Sequence, residues 1–175
     1  MPNEKRGLIA SAEWKKIKYK KKWYQGETAI TAIGQGYTQT TPIQLALATA
    51  KLINQNYILH PKLLKKDTIP MHINSYKKNS RKNTNLKLVK DAMSLVTKEG
   101  GTAAFIGRNS SYNMSAKTGT DQVFGLKKDE VYDESKLPDK LKDHALFIAF
   151  APTEEPKLVI AIVVENGGHG GSTAG

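Results

Sequence analysis

The hydrophobic pattern of the chain changes after Thr41, where a polar and basic N-terminal stretch gives way to an apolar segment. The residues Thr41-Pro42-Ile43-Gln44 have the form of a capping box with proline in the first helical turn. Apolar residues then cover almost every face of the helix that would follow, IQLALATAKLI. Because such a helix needs protein around it, the pattern predicts a buried helix over residues 42–54. Residues 1–33 show no period and are expected to be irregular and basic.

Four further segments have the period of regular secondary structure. A helix is predicted over residues 86–99, where apolar pairs recur at helical spacing before Gly100-Gly101. Strands are predicted over residues 112–119, 145–151 and 158–164. The last of these, LVIAIVV, is β-branched and apolar on both faces, which is typical of a central strand. A turn is predicted at Thr153-Glu154-Glu155-Pro156, between the second and third strands. Together these segments predict a fold of mixed α/β class (α+β), in which helices accompany an antiparallel sheet.

Two polar segments interrupt this pattern. Residues 65–85, KKDTIPMHINSYKKNSRKNTN, are charged and aperiodic and are expected to form a mobile loop. Residues 127–143 form a second charged excursion, between the first two predicted strands. At the other end, Ser172-Thr173-Ala174 has the composition of a helix N-terminus. We therefore expect one domain portion over residues 1–175, truncated at both ends.

Composition narrows the possible functions. At 175 residues the chain has the usual length of one domain, and it has no cysteine, which excludes disulfides and thiolate zinc sites. The N-terminal segment MPNEKRGLIASAEWKK has no apolar core long enough for a signal peptide, and no later run reaches the length of a membrane span. The net charge of +11 is concentrated in residues 1–22 and 62–90, where basic segments with interleaved aromatic residues, such as KKIKYKKKWY, could bind phosphates. No nucleic-acid-binding motif accompanies it, so a basic nucleic-acid-binding protein is kept as an alternative.

Five stretches of the sequence together resemble one family. They are, in order, GETAITAIGQGYTQTTPIQLALA, KEGGTAA, SAKTGTDQVFG, DHALFIAFAP and VVENGG. A K-T-G triplet alone arises often by chance, but five stretches in register are specific. They resemble the C-terminal part of the transpeptidase domain of penicillin-binding protein 2, a class B peptidoglycan D,D-transpeptidase. The resemblance covers nearly the whole chain and implies a partial penicillin-recognising transpeptidase fold that serves peptidoglycan cross-linking in cell elongation.

The resemblance implies a role for each residue of the K-T-G segment. Lys117 would supply positive charge near the nucleophile and the substrate carboxylate, to which Thr118 and Thr120 would offer hydroxyls. Gly119 would leave open the groove in which an extended peptide lies. The backbone N–H of Thr120 would form the strand's half of the oxyanion hole. The family usually has alanine where this chain has Asp121, and this acid is expected to weaken the binding of anionic substrates.

The same chemistry requires a nucleophilic serine with a lysine one helical turn away. Ser75 and Lys78 match S-x-x-K formally, but they lie in the most polar stretch, with no buried helix to desolvate the lysine. Ser111 and Asn113 match S-x-N formally, but on one continuous strand Ser111 would lie roughly 20 Å from Lys117, at about 3.3 Å per residue. Neither match is expected to be catalytic. The nucleophile is therefore expected to be absent from this chain, and the isolated chain to be inactive.

The remaining expectations concern two histidines, ligands and location. His144, at a strand start, is expected to make a structural hydrogen bond, and the lone His169 is not expected to bind a metal. No cofactor is expected. The family implies stem peptides and β-lactams as ligands, membrane proteins of the elongation machinery as partners, and a cell inner membrane location with the catalytic domain facing the periplasm. No contact of this segment with nucleic acid or with the membrane is expected. A fragment of a related D,D-carboxypeptidase or β-lactamase, which shares K-T-G, is kept as a second alternative.

Overall fold

A computed structural model of the chain describes residues 3–54, 61, 83–123, 125, 133 and 137–175. Within these residues the helices are α1 (Ala12–Tyr19), α2 (Gln25–Ala32), α3 (Pro42–Ile53), α4 (Asn83–Leu95) and α5 (Ala104–Asn109). The strands are β1 (Ser115–Asp121), β2 (His144–Ala151) and β3 (Leu158–Val164). A 3-10 turn at Asp139–Leu141 precedes β2, and a π-helical turn at Gly170–Ala174, called the C-terminal turn, follows β3.

The three strands form one antiparallel sheet in the order β1-β2-β3, which confirms the predicted fold class. After Ala151 the chain turns back, and Lys157 N–H donates to the Ala151 carbonyl at 2.8 Å, where the sequence predicts a turn. The first strand is shifted from the prediction, since it begins at Ser115 and runs to Asp121. The prediction of a central β3 is wrong. In the described sheet β2 pairs with a strand on each side and is central, so the apolar β3 lies at an edge.

Small residues allow the C-terminal turn to lie directly against one face of the sheet. The core cluster on this face consists of buried residues, Ala103, Ala116, Ala145, Phe147, Ala149 and Ala174. Val96, Ile106 and Val164 pack around it. Because most of these side chains are alanine, backbone segments approach one another closely, and this brings the C-terminal turn into contact with β1 and β2.

Helix α3 contacts β2 and β3 and begins as the sequence predicts. The Thr41 hydroxyl accepts from the Gln44 N–H at 3.3 Å, and the Gln44 side chain accepts from the Thr41 N–H at 3.0 Å. The prediction that this helix is buried is wrong for the described chain, because Thr49 is its one buried residue and Ala48 is exposed. Within the described residues the helix packs against β2 and β3, and from Ile43 to Ile53 its apolar side chains other than Ala48 are half-buried.

The helices α1 and α2 occupy residues that the sequence predicts to be irregular, and that prediction is wrong. The Ser11 hydroxyl caps α1 by accepting from Trp14 N–H at 3.2 Å. Lys15, only 3% exposed, donates to the Glu27 carboxylate at 2.5 Å and so joins the two helices. This hydrogen bond, with a second from the Tyr24 N–H, holds the pKa of Glu27 below its usual range. Each helix has only eight residues, too few for a clear period, and their pairing depends on a tertiary contact.

Two predicted loops fall largely outside the described residues. The loop predicted over residues 65–85 extends three residues too far at its C-terminal end, because residues 83–85 belong to α4. Its other residues lie outside the described part. Most of the excursion at residues 127–143 is likewise outside the described part. The predicted helix at 86–99 is α4, which ends at Leu95 and continues as turns, while α5 has no counterpart among the predicted elements. No helix in the described ranges is long and apolar enough to cross a membrane.

Candidate active site

The K-T-G segment lies where β1 passes from the core to the surface. Ser115 and Ala116, at the start of the strand, are fully buried, and the Ser115 hydroxyl lies 3.0 Å from the Thr153 hydroxyl. From Lys117 onward the strand residues are half-buried or exposed. One end of β1 is therefore anchored in the core, and the other presents its residues at an edge of the sheet.

The edge of β1 that faces away from β2 exposes main-chain hydrogen-bonding groups. The Gln35 side chain donates to the Thr120 carbonyl at 2.8 Å, which shows that this carbonyl points away from β2. In an antiparallel pair the N–H and C=O of one residue point to the same side, so the Thr120 N–H also faces outward, and so do both groups of Thr118. The Lys117 ammonium folds back onto the Thr118 carbonyl. The N–H to which the sequence assigns the oxyanion role is thus directed toward the open edge.

The side chains of the segment divide between the two faces of the sheet. Because successive side chains of a strand point to opposite faces, one face carries Lys117, Gly119 and Asp121, and the other carries Thr118 and Thr120. The Thr118 hydroxyl lies 3.1 Å from the Thr102 hydroxyl, and the Thr120 hydroxyl accepts from the Gly170 N–H at 3.4 Å. The structure therefore groups Lys117 with Gly119, and places both hydroxyls toward the face that the C-terminal turn covers. Their role in binding a substrate carboxylate stays a prediction.

A cleft of about 430 Å³ opens beside the exposed end of β1, on the face that Gly119 shares. An added Cβ at Gly119 would contact just one atom, the Leu146 Cβ, at 3.3 Å. A methyl group there would be held by the sheet and would project into the cleft. The cleft is lined by the turn before α3, the start of that helix and all three strands, including Gln35, Leu45, Gly119, Asp121, His144 and Val163.

Polar contacts hold the start of β2, and one of them involves His144, for which the sequence predicts a structural role. The His144 Nδ1 accepts from the Asn166 N–H at 2.9 Å, so a neutral His144 has its proton on Nε2, and the prediction of a structural hydrogen bond is confirmed. The Asn166 side chain donates to the Lys142 carbonyl at 2.9 Å. The buried Asp143 carboxylate accepts from the Val123 N–H at 3.2 Å. Sequence reasoning missed Asp143, whose only signal is an acid directly before an apolar strand.

The strand continues regularly through Asp121, the residue at which the family usually has alanine. Asp121 is exposed and lines the cleft, and by alternation its side chain starts from the same face of β1 as that of Lys117. Because Asp121 shares this face, its negative charge lies on the side of β1 where the sequence predicts that it weakens the binding of anionic ligands. The effect itself stays a prediction.

The formal serine motifs do not join this site in the described residues. Ser75 and Lys78 lie outside the part that the structure describes. Ser111 lies in a bend before β1, and the Asn113 side chain donates to Glu154 at 3.1 Å, at the opposite end of the strand from the cleft. Across the described residues, no cluster of three or more His, Asp or Glu side chains could hold a metal ion.

The sequence and fold match one family along nearly the whole chain. A sequence profile described as the penicillin-binding protein transpeptidase domain matches residues 2–175. The chain belongs to this family. It is 37% identical over 177 residues to the peptidoglycan D,D-transpeptidase MrdA of Escherichia coli K12. This match covers 97% of this chain and 28% of that relative. The chain thus spans little more than a quarter of the length of the curated relatives it matches.

Solved structures of penicillin-binding protein 2 share this fold. The protein from Pseudomonas aeruginosa, solved in complex with WCK 5153, is 36% identical with a TM-score of 0.77, over 99% of this chain and 37% of that one. The protein from Helicobacter pylori, solved in complex with MreC, is 30% identical with a TM-score of 0.79, over 95% of this chain and 28% of that one. The predicted resemblance is confirmed, and the nucleic-acid alternative is not favoured.

Proposed function

We propose that this chain provides the substrate-binding strand and adjoining cleft of a peptidoglycan D,D-transpeptidase. The observation that carries the proposal is the open edge of β1, where Lys117, Gly119 and the outward peptide groups of Thr118 and Thr120 lie together. An extended peptide can add to such an edge through main-chain hydrogen bonds. Side-chain pockets beside the edge then select the peptide. The family membership of the chain supports stem peptides as the ligand class.

In the proposed reaction a serine hydroxyl attacks the carbonyl between the two terminal D-Ala residues of a stem peptide. The serine loses its proton to a lysine base, an ester forms, and the peptide bond breaks to release D-Ala, which takes up a proton. An amine of a neighbouring stem peptide then attacks the ester, forms a new peptide bond and regenerates the serine. In both steps the Thr120 N–H would stabilise the negative charge that develops on the carbonyl oxygen. Lys117 would attract the substrate carboxylate.

We propose that the nucleophilic serine is supplied from outside this chain. The only S-x-x-K in the sequence begins at Ser75, in a highly polar stretch. Incubating the chain alone with benzylpenicillin and measuring its intact mass tests this point. No covalent adduct is expected. A stoichiometric adduct that disappears in Ser75→Ala or Ser111→Ala would show that the chain contains its own nucleophile.

A chimera tests the proposed function directly. The 177 aligned residues of the Escherichia coli relative are replaced by this chain, and acylation by a fluorescent penicillin is measured. The chimera is expected to be labelled, and Lys117→Ala to slow labelling by about 10- to 100-fold, the range of one charge-assisted hydrogen bond. Lys140→Ala, which also removes one exposed cation, is the matched control and should label at the unaltered rate. An unlabelled chimera that is folded by circular dichroism would contradict the proposal.

We also propose that the site works at the periplasmic face of the inner membrane with membrane proteins of the elongation machinery. The complex of the Helicobacter pylori relative with MreC supports a partner of this kind. The chimera provides the test: when it is expressed in cells that lack the relative, rod shape should be maintained. Spherical cells that contain a chimera competent in penicillin labelling would contradict the partner proposal and leave the catalytic one intact.

A further inference from the structure

The side chain of Gln35 bonds to the exposed edge of β1 at two points. Its amide nitrogen donates to the Thr120 carbonyl at 2.8 Å, and its amide oxygen accepts from the Gln122 N–H at 3.4 Å. These are main-chain groups on the side of β1 that faces away from β2. One side-chain amide therefore occupies the positions that an N–H and a C=O of an added strand would take beside Asp121.

The backbone of Gln35 is held rigidly for this contact. Gly34 and Gly36, on either side, have φ values of 82° and 76°, in the left-handed region that glycine adopts without strain. The Gln35 N–H donates to the Ile30 carbonyl at 3.1 Å, and the Gly34 N–H donates to the Thr31 carbonyl at 3.0 Å. The last carbonyls of α2 thus fix the turn. A Cβ at Gly36 would approach the Ile30 side chain to 3.0 Å, so the segment also packs closely there.

We propose that Gln35 is a positioning residue that restrains Thr120 through its carbonyl and ends the part of β1 that is open to a peptide ligand. Its bond to the Thr120 carbonyl restrains the residue whose N–H would complete the oxyanion hole. Its bond to Gln122 occupies the next outward donor. An added peptide can therefore pair with the N–H groups of Thr118 and Thr120, and with the Thr118 carbonyl if it displaces the Lys117 ammonium, but no further along the strand. This inference rests on the proposed transpeptidase function.

Hydrogen exchange tests the contact itself, whatever reaction the site performs. In Gln35→Ala the Gln122 amide is expected to exchange on the order of tenfold faster, the factor that one net hydrogen bond corresponds to. Gln35→Glu keeps the acceptor and should leave the Gln122 amide protected. Gln25→Ala, which truncates an exposed glutamine at the start of α2, is the matched control. A Gln122 amide that exchanges at the same rate in Gln35→Ala and in the unsubstituted chain would overturn the contact.

Acylation of the Escherichia coli chimera tests the positioning role. Gln35→Ala is expected to lower the first-order acylation rate constant about tenfold while leaving the dissociation constant of the penicillin nearly unchanged. Gln35→Glu should be equally slow at neutral pH, because a carboxylate cannot donate to the Thr120 carbonyl. Its rate relative to the unsubstituted chimera should rise as the pH falls and the carboxyl becomes protonated, since it then regains a donor.

The outcomes separate the two proposals. An unsubstituted chimera that is not acylated contradicts the proposed function, and the hydrogen-exchange result still decides the contact. An acylated chimera in which Gln35→Ala reacts at the unsubstituted rate contradicts the positioning role alone. A change confined to the dissociation constant, or a Gln35→Glu rate ratio that does not depend on pH, would likewise overturn it.

Discussion

Replacing Gly170 by alanine should separate the C-terminal turn from the sheet. A Cβ at this position would lie 2.0 Å from the Gly119 carbonyl oxygen and 2.6 Å from the Leu146 carbonyl oxygen. Both oxygens belong to the paired backbones of β1 and β2, where Gly119 faces Leu146, so neither can move without breaking the sheet. The turn must instead move away by about 1 Å or more to restore ordinary contact distances.

That displacement has a calculable cost. It breaks the hydrogen bond from the Gly170 N–H to the Thr120 hydroxyl, worth about 1 kcal/mol. It also loosens the packing of Ala174 on Phe147, both nearly fully buried, and forced overpacking typically costs about 1–3 kcal/mol. The alanine reduces the conformational freedom of the unfolded chain, which returns about 0.4–1 kcal/mol. Together these contributions predict that Gly170→Ala lowers the free energy of unfolding by about 1–3.5 kcal/mol.

Urea unfolding followed by far-ultraviolet circular dichroism measures this change as a lower midpoint at constant slope. Gly119→Ala is the matched control, because its Cβ would meet one side-chain atom at 3.3 Å, and it should change the free energy of unfolding by less than about 1 kcal/mol. If Gly170→Ala unfolds within about 0.5 kcal/mol of the unsubstituted chain, or if Gly119→Ala is the more damaging change, the close approach of the turn to β1 is wrong.

Three further changes test the core, an ion pair and the cleft. Phe150→Ala removes a side chain of β2 that is 1% exposed and should cost about 3–5 kcal/mol in urea unfolding. Phe105→Ala, at 42% exposure, should cost far less, and equal costs would contradict the burial of Phe150. Because its hydrogen bond with Lys15 lowers the pKa of Glu27, the pair stabilises the fold above the usual carboxyl range and this stability is lost as the pH falls through the lowered pKa. The difference in stability between the chain and Glu27→Gln should therefore shrink on acidification, and a constant difference would refute the pairing. Asp121→Ala in the chimera should accelerate acylation by anionic β-lactams, and an unchanged rate would show that the carboxylate is harmless.

Much of the local structure is predictable from neighbouring residues in the sequence. The α3 cap depends on Thr41 and Gln44, three residues apart, and both side-chain contacts form as predicted. The strand character of LVIAIVV and the turn before it also arise from residues close in sequence. Five stretches in the family's order are enough to indicate the family, and the K-T-G segment lies on a strand as predicted.

The three strands, the capped helix α3 and the family can be predicted without coordinates, because periodicity, turn chemistry and motifs are contained in short stretches. Long-range contacts, in contrast, make β2 the central strand, pair α1 with α2 through Lys15 and Glu27, and bring Gln35 to Thr120, 85 residues away. They also place the hydroxyls of Thr118 and Thr120 toward the C-terminal turn. These contacts join residues far apart in the chain, and no local pattern specifies which distant partner a side chain will meet.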